Sequence, residues 1–262
     1  MPSAQPLPQE DNLTPRQRLI HWLEQLGCDL PGGNDWLSAE ELGRANGMRV
    51  EKRRKDWLLG RWTAKNAVAF RLNLGTNSLA EIELRAVASG APEVFVRDKR
   101  AEISISLSHR AGRAICTLAD RACALGCDIE LIEPHSEAFL ADYFTADEQA
   151  LLAQAAASEK SLVSTLLWSA KESALKALGT GLRADTRTVS ACPAPASPEV
   201  GGWHPLEVWS GAVLSNEERR WGHRRYKAGK RFQGWWQTGD GFVRTVVSDP
   251  AGPPPVYLKV AP

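Results

Sequence analysis

The sequence has no long hydrophobic run, since none of its apolar stretches approaches the roughly 18 residues that a membrane-spanning helix requires. Its N-terminus also lacks the basic segment followed by an apolar segment that marks an export signal. The five cysteines are odd in number and form no CxxC pair, a pattern typical of reduced thiols rather than of a disulfide framework. We therefore expect a soluble, cytoplasmic protein without a membrane partner.

The chain also lacks an excess of charge of either sign, because its net charge at neutral pH is +1 over 262 residues. This balance argues against a dedicated nucleic-acid-binding protein. The exception is local: residues 217–236 contain seven Lys or Arg and four Trp or Tyr. Such a segment fits a β-hairpin with a basic outer face, and it also fits contact with an acidic partner protein or with single-stranded nucleic acid.

Local patterns in the first quarter of the chain predict helices. Residues 1–13, rich in Pro, Gln and acidic groups, predict a disordered lead-in. The N-cap signal Thr14-Pro15 predicts a helix that runs to about Gly27, and the capping box Ser38-Ala39-Glu40-Glu41 predicts a short one. An amphipathic pattern that begins with a basic run predicts a long helix over residues 50–72.

Alternating patterns then predict strands, interrupted by two more helices. The strands are expected at 81–96, on both sides of a turn at 90–92, and at 103–107, 113–119 and 123–131. A second capping box, Thr145-Ala146-Asp147-Glu148, predicts a helix to about residue 157, and strong helix formers before a glycine stop signal predict another over 166–182. From 206 to 258 short strands dominate, so the class is α+β.

The chain contains an internal echo. Trp62-Thr63-Ala64-Lys65-Asn66-Ala67-Val68 and Trp168-Ser169-Ala170-Lys171-Glu172-Ser173-Ala174 repeat one short pattern about one hundred residues apart. Chance similarity between two Ala-rich helices is one explanation. A duplicated unit is the other, and it predicts two similar lobes that join near residues 120–125 with a ligand cleft between them. We then expect lobes over 14–122 and 123–262, the second including a Trp-rich β tail.

Two carboxylates lie close together in the predicted strand at 123–131. Residues i and i+2 of a strand point to the same face, so Asp128 and Glu130 project together while Cys127 and Ile129 point inward. Two such charges on one face repel unless a cation lies between them. Oxygen ligands without His or Cys partners favour magnesium. A sheet face open to solvent is the common alternative for an isolated pair of this kind.

Three further groups offer chemistry beside these carboxylates. On the helix at 166–182, Trp168, Glu172 and Lys176 share one stripe, although a Glu–Lys pair at this spacing is usually just a solvated ion pair. Ser108-His109 at a strand end could receive an anion, and His in such a place is often structural. The basic run 52–55 with Arg61 could bind phosphate or form a solvated helix face. Together they suggest magnesium-dependent chemistry on a phosphate-rich donor.

The order of these motifs resembles that of the 4′-phosphopantetheinyl transferases, in their larger monomeric class. The resemblance covers about residues 50–182 and rests on segments that keep the family's order: Lys52 to Arg61, Ser106-Leu107-Ser108-His109, Gly126-Cys127-Asp128-Ile129-Glu130, Phe144-Thr145 with Glu148, and Trp168 to Lys176. The chain departs from the family pattern at Cys127, where Ile or Val is usual, and at Ala91, where a basic residue is usual. The family fold implied is two pseudo-symmetric lobes, each a small, mostly antiparallel sheet with a long packed helix.

The resemblance also implies an activity and a role for each candidate residue. The 4′-phosphopantetheine arm of coenzyme A would pass to a serine hydroxyl of an acyl or peptidyl carrier protein of fatty-acid or secondary-metabolite synthesis, releasing 3′,5′-adenosine diphosphate. Glu172 would take the proton and Lys176 would stabilise the developing charge. The implied binding groups are the magnesium (alternatively manganese) ligands Asp128, Glu130 and Glu172, the donor-phosphate contacts Arg53 and Arg61, the 3′-phosphate contacts Ser108 and His109, and the diphosphate contacts Lys171 and Lys176.

Two interpretations from other classes compete with this one. A metal-dependent nuclease could use Asp128, Glu130 and a lysine, and it would cut DNA with magnesium while ignoring coenzyme A. A non-catalytic binding module would keep the basic surface and show no magnesium-dependent chemistry. Transfer of a phosphopantetheine arm to an apo carrier protein, detected as a gain in mass, separates all three.

Overall fold

The computed structural model describes residues 19–87, 90–181, 184–194, 202–211 and 229–260. Its helices are α1 Ala39–Asn46, α2 Glu51–Arg71, α3 Glu137–Tyr143, α4 Ala146–Gln154 and α5 Lys160–Ala177. Its strands are β1 His21–Leu26, β2 Ile82–Ala86, β3 Pro92–Val96, β4 Lys99–Arg100, β5 Ile103–Arg110, β6 Arg113–Asp120, β7 Ala124–Leu131, β8 Val189–Pro193, β9 His204–Ser210, β10 Arg231–Gly239, β11 Phe242–Asp249 and β12 Val256–Tyr257. In these ranges no helix has the length and apolar character needed to cross a bilayer.

The first lobe packs the long helix α2 against a sheet of order β12-β1-β6-β5, with a smaller sheet β2-β3-β4 beside it. The helix buries its alanine-rich side, including Ala64, Ala67 and Val68, against Cys116 and Leu118 of β6 and the apolar residues of β1, β2 and β5. The first turns of α2 are strongly basic. The burial of these small and branched side chains is therefore what holds the helix to the sheet.

The second lobe repeats the arrangement with α5 against a sheet of order β7-β11-β10-β9-β8. Leu167, Ala170 and Ala174 of α5 are fully buried against Val243 and Val247 of β11 and other strand residues. The α+β class with two similar lobes is therefore confirmed. Trp236 in β10 belongs to this core, while residues 217–228 of the basic segment lie outside the described residues.

The two sheets meet in a third apolar cluster, which joins Ile115 of β6 to Cys127 and Ile129 of β7. Serine hydroxyls on β5 strengthen the junction, because Cys127 N donates a 2.9 Å hydrogen bond to Ser106 Oγ. Since β7 contacts the first lobe on one side and carries α5 on the other, its polar side chains lie at the boundary between the lobes.

A buried ion pair occurs in the same place in both lobes and supports the duplication. The Glu of each capping box, Glu41 or Glu148, pairs with the lysine of the repeated helix motif, Lys65 at 2.5 Å and Lys171 at 2.8 Å. Each Glu also accepts a backbone amide from a strand, Leu84 N in the first lobe and Ala191 N in the second. Chance similarity of two helices would not be expected to produce two matching networks, so the observation favours a duplicated unit.

The chain path differs from the expected one in several places. Residues 21–26 form strand β1 instead of a helix, because they pair with β6 on one side and β12 on the other, and this pairing overrides the local signal. Thr14-Pro15 and the expected lead-in lie outside the described residues. The helix expected at 166–182 spans Lys160–Ala177. Finally, β12 joins the sheet of the first lobe, so the second lobe does not hold all of residues 123–262.

Candidate active site

Asp128 of β7 is the most buried acidic group at the boundary between the lobes. Its Oδ1 accepts hydrogen bonds from Ser108 Oγ at 2.7 Å and Lys176 Nζ at 2.8 Å. Its Oδ2 is buried without a hydrogen-bond partner in the described structure. A carboxylate oxygen in that state costs free energy unless a cation or donor reaches it. Asp128 Oδ2 can therefore accept a further ligand, such as a cation or a hydrogen-bond donor.

Gly126 allows α5 to come close enough for Lys176 to reach this carboxylate. A Cβ at position 126 would lie 1.8 Å from the carbonyl oxygen of Ser173, so no larger residue fits without moving the helix. In the resulting close packing, Lys176 Nζ also donates to the carbonyl of Cys127 at 3.0 Å. Gly126 thus determines where Lys176 lies, because it lets α5 pack directly against β7.

Glu130 and Glu172 flank Asp128 in an environment that disfavours their charge. Burial, followed by the charge of Asp128, raises the pKa of Glu130 to about 7, although Arg110 lies 3.2 Å from its carboxylate and opposes the shift. Burial and the same Asp128 charge also raise the pKa of Glu172. Burial and the neighbouring carboxylate therefore disfavour the charged forms of both Glu130 and Glu172.

The environment of Lys176, unlike that of the two glutamates, favours its charged form. Burial alone would lower the pKa of Lys176, but Asp128 and other neighbouring groups outweigh that effect and raise it. The ammonium is consequently charged at neutral pH and fixed in position by Asp128. Because about a quarter of its side chain remains exposed, at 26%, it can also contact a ligand in the cleft.

The acidic groups fit a magnesium ion in chemistry, and Asp128 Oδ2 offers a free oxygen for it. Oxygen ligands from carboxylates are those that magnesium prefers. A divalent cation would offset the burial and the repulsion from Asp128 that raise the pKa values of Glu130 and Glu172. The site is not fully assembled, since no three His, Cys, Asp or Glu side chains in the described ranges come together closely enough to hold a metal ion. Glu130 would have to leave Arg110 to join Asp128.

A pocket of about 540 Å³ opens between the lobes beside Lys176. Its wall is formed by Ser104 and Ser106 of β5, by the turn at residues 90–92, and by the last residues of α5 with the two that follow it, from Lys176 to Gly179. Arg100 and Arg121 also line it. The arrangement can hold an elongated anionic molecule with one end at Lys176, and the wall of small side chains leaves space for a flat or flexible portion.

The structure separates the predicted residues into two groups. Asp128, Glu130, Glu172, Lys176 and Ser108 come together, the last as a donor to Asp128. The prediction for Lys171 is wrong, because its ammonium is fully buried against Glu148 and donates to the carbonyls of Thr186 and Val189. It could not face a phosphate without breaking the core of the second lobe.

Of the predicted phosphate contacts of the first lobe, Arg61 and Arg53 lie elsewhere, whereas His109 still interacts with the charges of Lys176 and Asp128. Arg61 lies against Glu41, with its guanidinium 5.0 Å from the Trp57 ring, and lines a separate pocket. Arg53 is exposed on the first turns of α2. His109 follows Ser108 and points to the other face of β5, near Gly60 of α2, where burial followed by the charge of Lys176 lowers its pKa against the opposing effect of acidic neighbours. Their phosphate contacts remain predictions.

Sequence reasoning missed Arg110, Arg100 and Arg121. Arg110 follows the Ser-His pair directly, and its ion pair with Glu130 could have been suspected from the adjacent strands alone. Arg100 lies in the two-residue strand β4 and Arg121 in the turn after β6, and their position against the cleft depends on the packing of the lobes. No local pattern marks them.

Comparison with known proteins agrees with this arrangement. Residues 124–224 match the sequence model of the 4′-phosphopantetheinyl transferase superfamily. The chain is 26% identical over 182 residues to the 4′-phosphopantetheinyl transferase HetI of a Nostoc species, an alignment that covers 67% of this chain and 75% of that protein.

Two solved structures are partly similar. The holo-(acyl-carrier-protein) synthase of Bacillus anthracis, in complex with CoA (3′,5′-ADP), is 22% identical with a TM-score of 0.32, covering 38% of this chain and 91% of that chain. The Helicobacter pylori holo-[acyl-carrier-protein] synthase, in complex with coenzyme A, is 16% identical with a TM-score of 0.31, covering 39% and 99%. These similarities are too partial to carry an argument.

The two-lobed α+β fold places the acidic group Asp128 and its partner Lys176 at the cleft between the lobes. The match over residues 124–224 and the similarity to HetI support an enzyme of the 4′-phosphopantetheinyl transferase superfamily.

Proposed function

We propose that this enzyme transfers the 4′-phosphopantetheine arm of coenzyme A to a serine hydroxyl of an acyl or peptidyl carrier protein. The observation that carries the proposal is Asp128, whose one oxygen is held by Lys176 while the other is buried without a partner beside the pocket between the lobes. A site of this kind suits a divalent cation and a phosphate group together. The similarity to the 4′-phosphopantetheinyl transferase HetI supports transfer of this arm.

Each side chain of the site has a role that follows from its position. Lys176 holds its charge next to Asp128, so it can bind the diphosphate of the donor and stabilise the charge that develops on the leaving group. Glu172, whose pKa is raised, is suited to accept the proton of the attacking hydroxyl at neutral pH. Ser108 fixes the rotamer of Asp128 through its 2.7 Å hydrogen bond.

Magnesium, when bound, would neutralise the phosphate oxygens and orient them for attack. Asp128, Glu130 and Glu172 would hold it. The resemblance suggests a monomer, a cytoplasmic location and manganese as an alternative ion. A carrier protein, which is acidic in this family, would meet the basic surfaces of the chain by charge complementarity.

The test uses coenzyme A, magnesium and an apo carrier protein, with the mass gain of the carrier as readout. We expect transfer by the wild type and a loss of about a hundredfold or more in rate for Asp128→Asn and Glu172→Gln. Glu137→Gln, an exposed carboxylate at the start of α3, is the matched control and should transfer normally. Wild-type-like rates for both site variants at saturating magnesium would remove this site from the mechanism.

The nuclease alternative is examined in the same samples. Incubation with magnesium and DNA should leave the DNA intact, and its cleavage by the wild type but not by Asp128→Asn would favour that alternative instead. An absence of both reactions, with retained binding of coenzyme A, would favour a binding module.

A further inference from the structure

Glu130, one of the three proposed magnesium ligands, forms an ion pair with Arg110 at the end of β5. Arg110 Nε lies 3.2 Å from Glu130 Oε2, and the two side chains are 42% and 22% exposed, so the pair lies at the rim of the site. A guanidinium and a magnesium ion that approach this carboxylate draw on the same negative charge. Binding of one cation should therefore weaken binding of the other.

Arg110 also has a second acidic partner. Its Nη2 donates to Oε1 of Glu133, which follows β7. The carbonyl of Glu133 accepts a 3.4 Å hydrogen bond from Thr165 Oγ1 of α5, so the position of this residue is tied to the helix. Because Arg110 uses different nitrogen atoms for the two carboxylates, it can leave Glu130 and still keep Glu133.

The backbone beside Arg110 is held in place. Ala111 and Gly112 form the tight turn between β5 and β6, with positive φ angles of 47° and 77°. The carbonyl of Gly112 accepts a 2.8 Å hydrogen bond from Gly27 N, and Arg110 pairs with Arg113 in the register of the two strands. An exchange of partners therefore needs only rotation of the arginine side chain and of Glu130, with no movement of the strands.

We propose that Arg110 competes with magnesium for Glu130, and that Glu133 retains the guanidinium when the ion takes this carboxylate. Arg110 is thus a positioning residue that sets the magnesium affinity through Glu130. The assignment rests on the proposed function, because without the ion Glu130 would have no cation to exchange for Arg110. It also gives a reason why the acidic groups of the described ranges do not come together as a complete metal site.

The test is a calorimetric titration with magnesium chloride alone. It is made at about pH 8.5, above the pKa of about 7 for Glu130, so that a proton competes little for this carboxylate. Arg110→Ala should bind magnesium about threefold to fivefold more tightly than the wild type, the range expected for loss of a partly exposed ion pair. Arg110→Lys, which keeps the charge, should return most of the way to the wild-type affinity.

Arg71→Ala is the matched control. Arg71 pairs with Asp120 at 3.1 Å, with side chains that are 39% and 44% exposed, and neither residue belongs to the proposed site. This variant should bind magnesium as the wild type does.

Two further variants separate competition from a general effect of charge. Glu133→Gln removes the second partner, so Arg110 should hold Glu130 more strongly and weaken magnesium binding by about threefold. In the background of Arg110→Ala, the same Glu133→Gln change should alter the affinity by less than about 1.5-fold. In the background of Glu130→Gln, Arg110→Ala should have no effect on the affinity, because Arg110 acts only through that carboxylate.

Equal magnesium affinities of the wild type and Arg110→Ala overturn the proposal, as does an absence of magnesium binding in both. A tightening that persists in the Glu130→Gln background also overturns it, because the effect then comes from overall charge and not from this pair. A wild type that binds magnesium but transfers no arm to an apo carrier protein counts instead against the proposed function, while the magnesium affinities still decide the role of Arg110.

Discussion

Lys176 and Asp128 form the residue pair on which the site depends. Replacing Lys176 by Met leaves a buried carboxylate with Ser108 Oγ and an unsatisfied Oδ2. Because a buried charge that loses its partner costs about 3–5 kcal/mol, and Lys176 is partly exposed, we expect the free energy of unfolding to fall by about 3 kcal/mol or less. Magnesium should restore more stability to this variant than to the wild type, since a cation can take the place of the ammonium.

Denaturant titrations with and without magnesium provide the measurement for Lys176→Met. Lys160→Met, at the exposed start of the same helix, is the control and should change neither the stability nor the magnesium response. An equal magnesium effect on the wild type and Lys176→Met would show that the ion binds away from Asp128.

Glu130 should give the metal-free protein a pH-dependent stability. Its pKa is raised from 4.5 to about 7, so between these values the folded protein keeps a proton that the unfolded chain has lost. The free energy of unfolding contributed by Glu130 is therefore fully present below about 4.5 and is lost as the pH rises to about 7. Glu130→Gln should remove this slope, so the variant gains stability relative to the wild type as the pH rises.

Unfolding curves of the wild type and Glu130→Gln, recorded in chelator at several values across that interval, test the Glu130 prediction. Parallel pH dependences of the two proteins would contradict it. Glu137→Gln should follow the wild type, because its carboxylate is exposed.

At the scale of elements, the contact between α5 and β7 depends on Gly126. An added Cβ would lie 1.8 Å from Ser173 O and 2.9 Å from Ala177 N, both backbone atoms that cannot rotate away. We expect Gly126→Ala to lower the free energy of unfolding by about 3 kcal/mol or more and to move Lys176 away from Asp128. Gly43→Ala in α1, where the added Cβ meets no atom within 4 Å, should instead stabilise by about 0.5–1 kcal/mol.

Chemical denaturation of the two glycine variants gives the comparison. Similar small effects at both positions would mean that α5 is free to shift, and the close approach would then not fix the position of Lys176.

The elements that sequence predicted well are those with local signals. Both capping boxes form as expected, with Ser38 and Thr145 as N-caps, because their hydrogen bonds involve residues only three apart. Strand β1 was missed because its two partners are β6 and β12, which are distant in sequence. Lys171 was misassigned for a related reason: its partner Glu148 is on another helix, and a charged residue in a motif gives no local sign that it will be buried.

At the scale of the whole molecule, the sequence predicted which residues form the site better than it predicted how they contact one another. The i, i+2 rule correctly placed Asp128 and Glu130 on the same side of β7, and the helical repeat brought Glu172 and Lys176 to the same region. The ion pair between Lys176 and Asp128, and the arginines that line the pocket, depend on how two duplicated units pack. Duplication kept the buried Glu–Lys pair in both lobes, whereas the acidic site with Asp128 and Lys176 lies between β7 and α5.

After the strands of the second lobe, the chain returns to the first lobe, where β12 pairs with β1. Leu258 follows β12 and is 2% exposed within the core cluster that contains Leu23 of β1, although the preceding strands β7 to β11 belong to the second lobe. Its amide donates to the carbonyl of Trp22 at 2.8 Å. Leu258 therefore stabilises the sheet that contains β1, although the two are far apart in sequence.

Leu258→Ala should lower the free energy of unfolding by about 2–5 kcal/mol, because it leaves a cavity in a fully buried position. Val256→Ala, at a position 44% exposed on β12 two residues earlier, is the control and should cost much less. Hydrogen exchange locates the effect: amides of β1 and β6 should exchange faster, while those of β10 and β11 change little. Equal acceleration in both sheets would show that the lobes open as one unit and that Leu258 has no special role in the first.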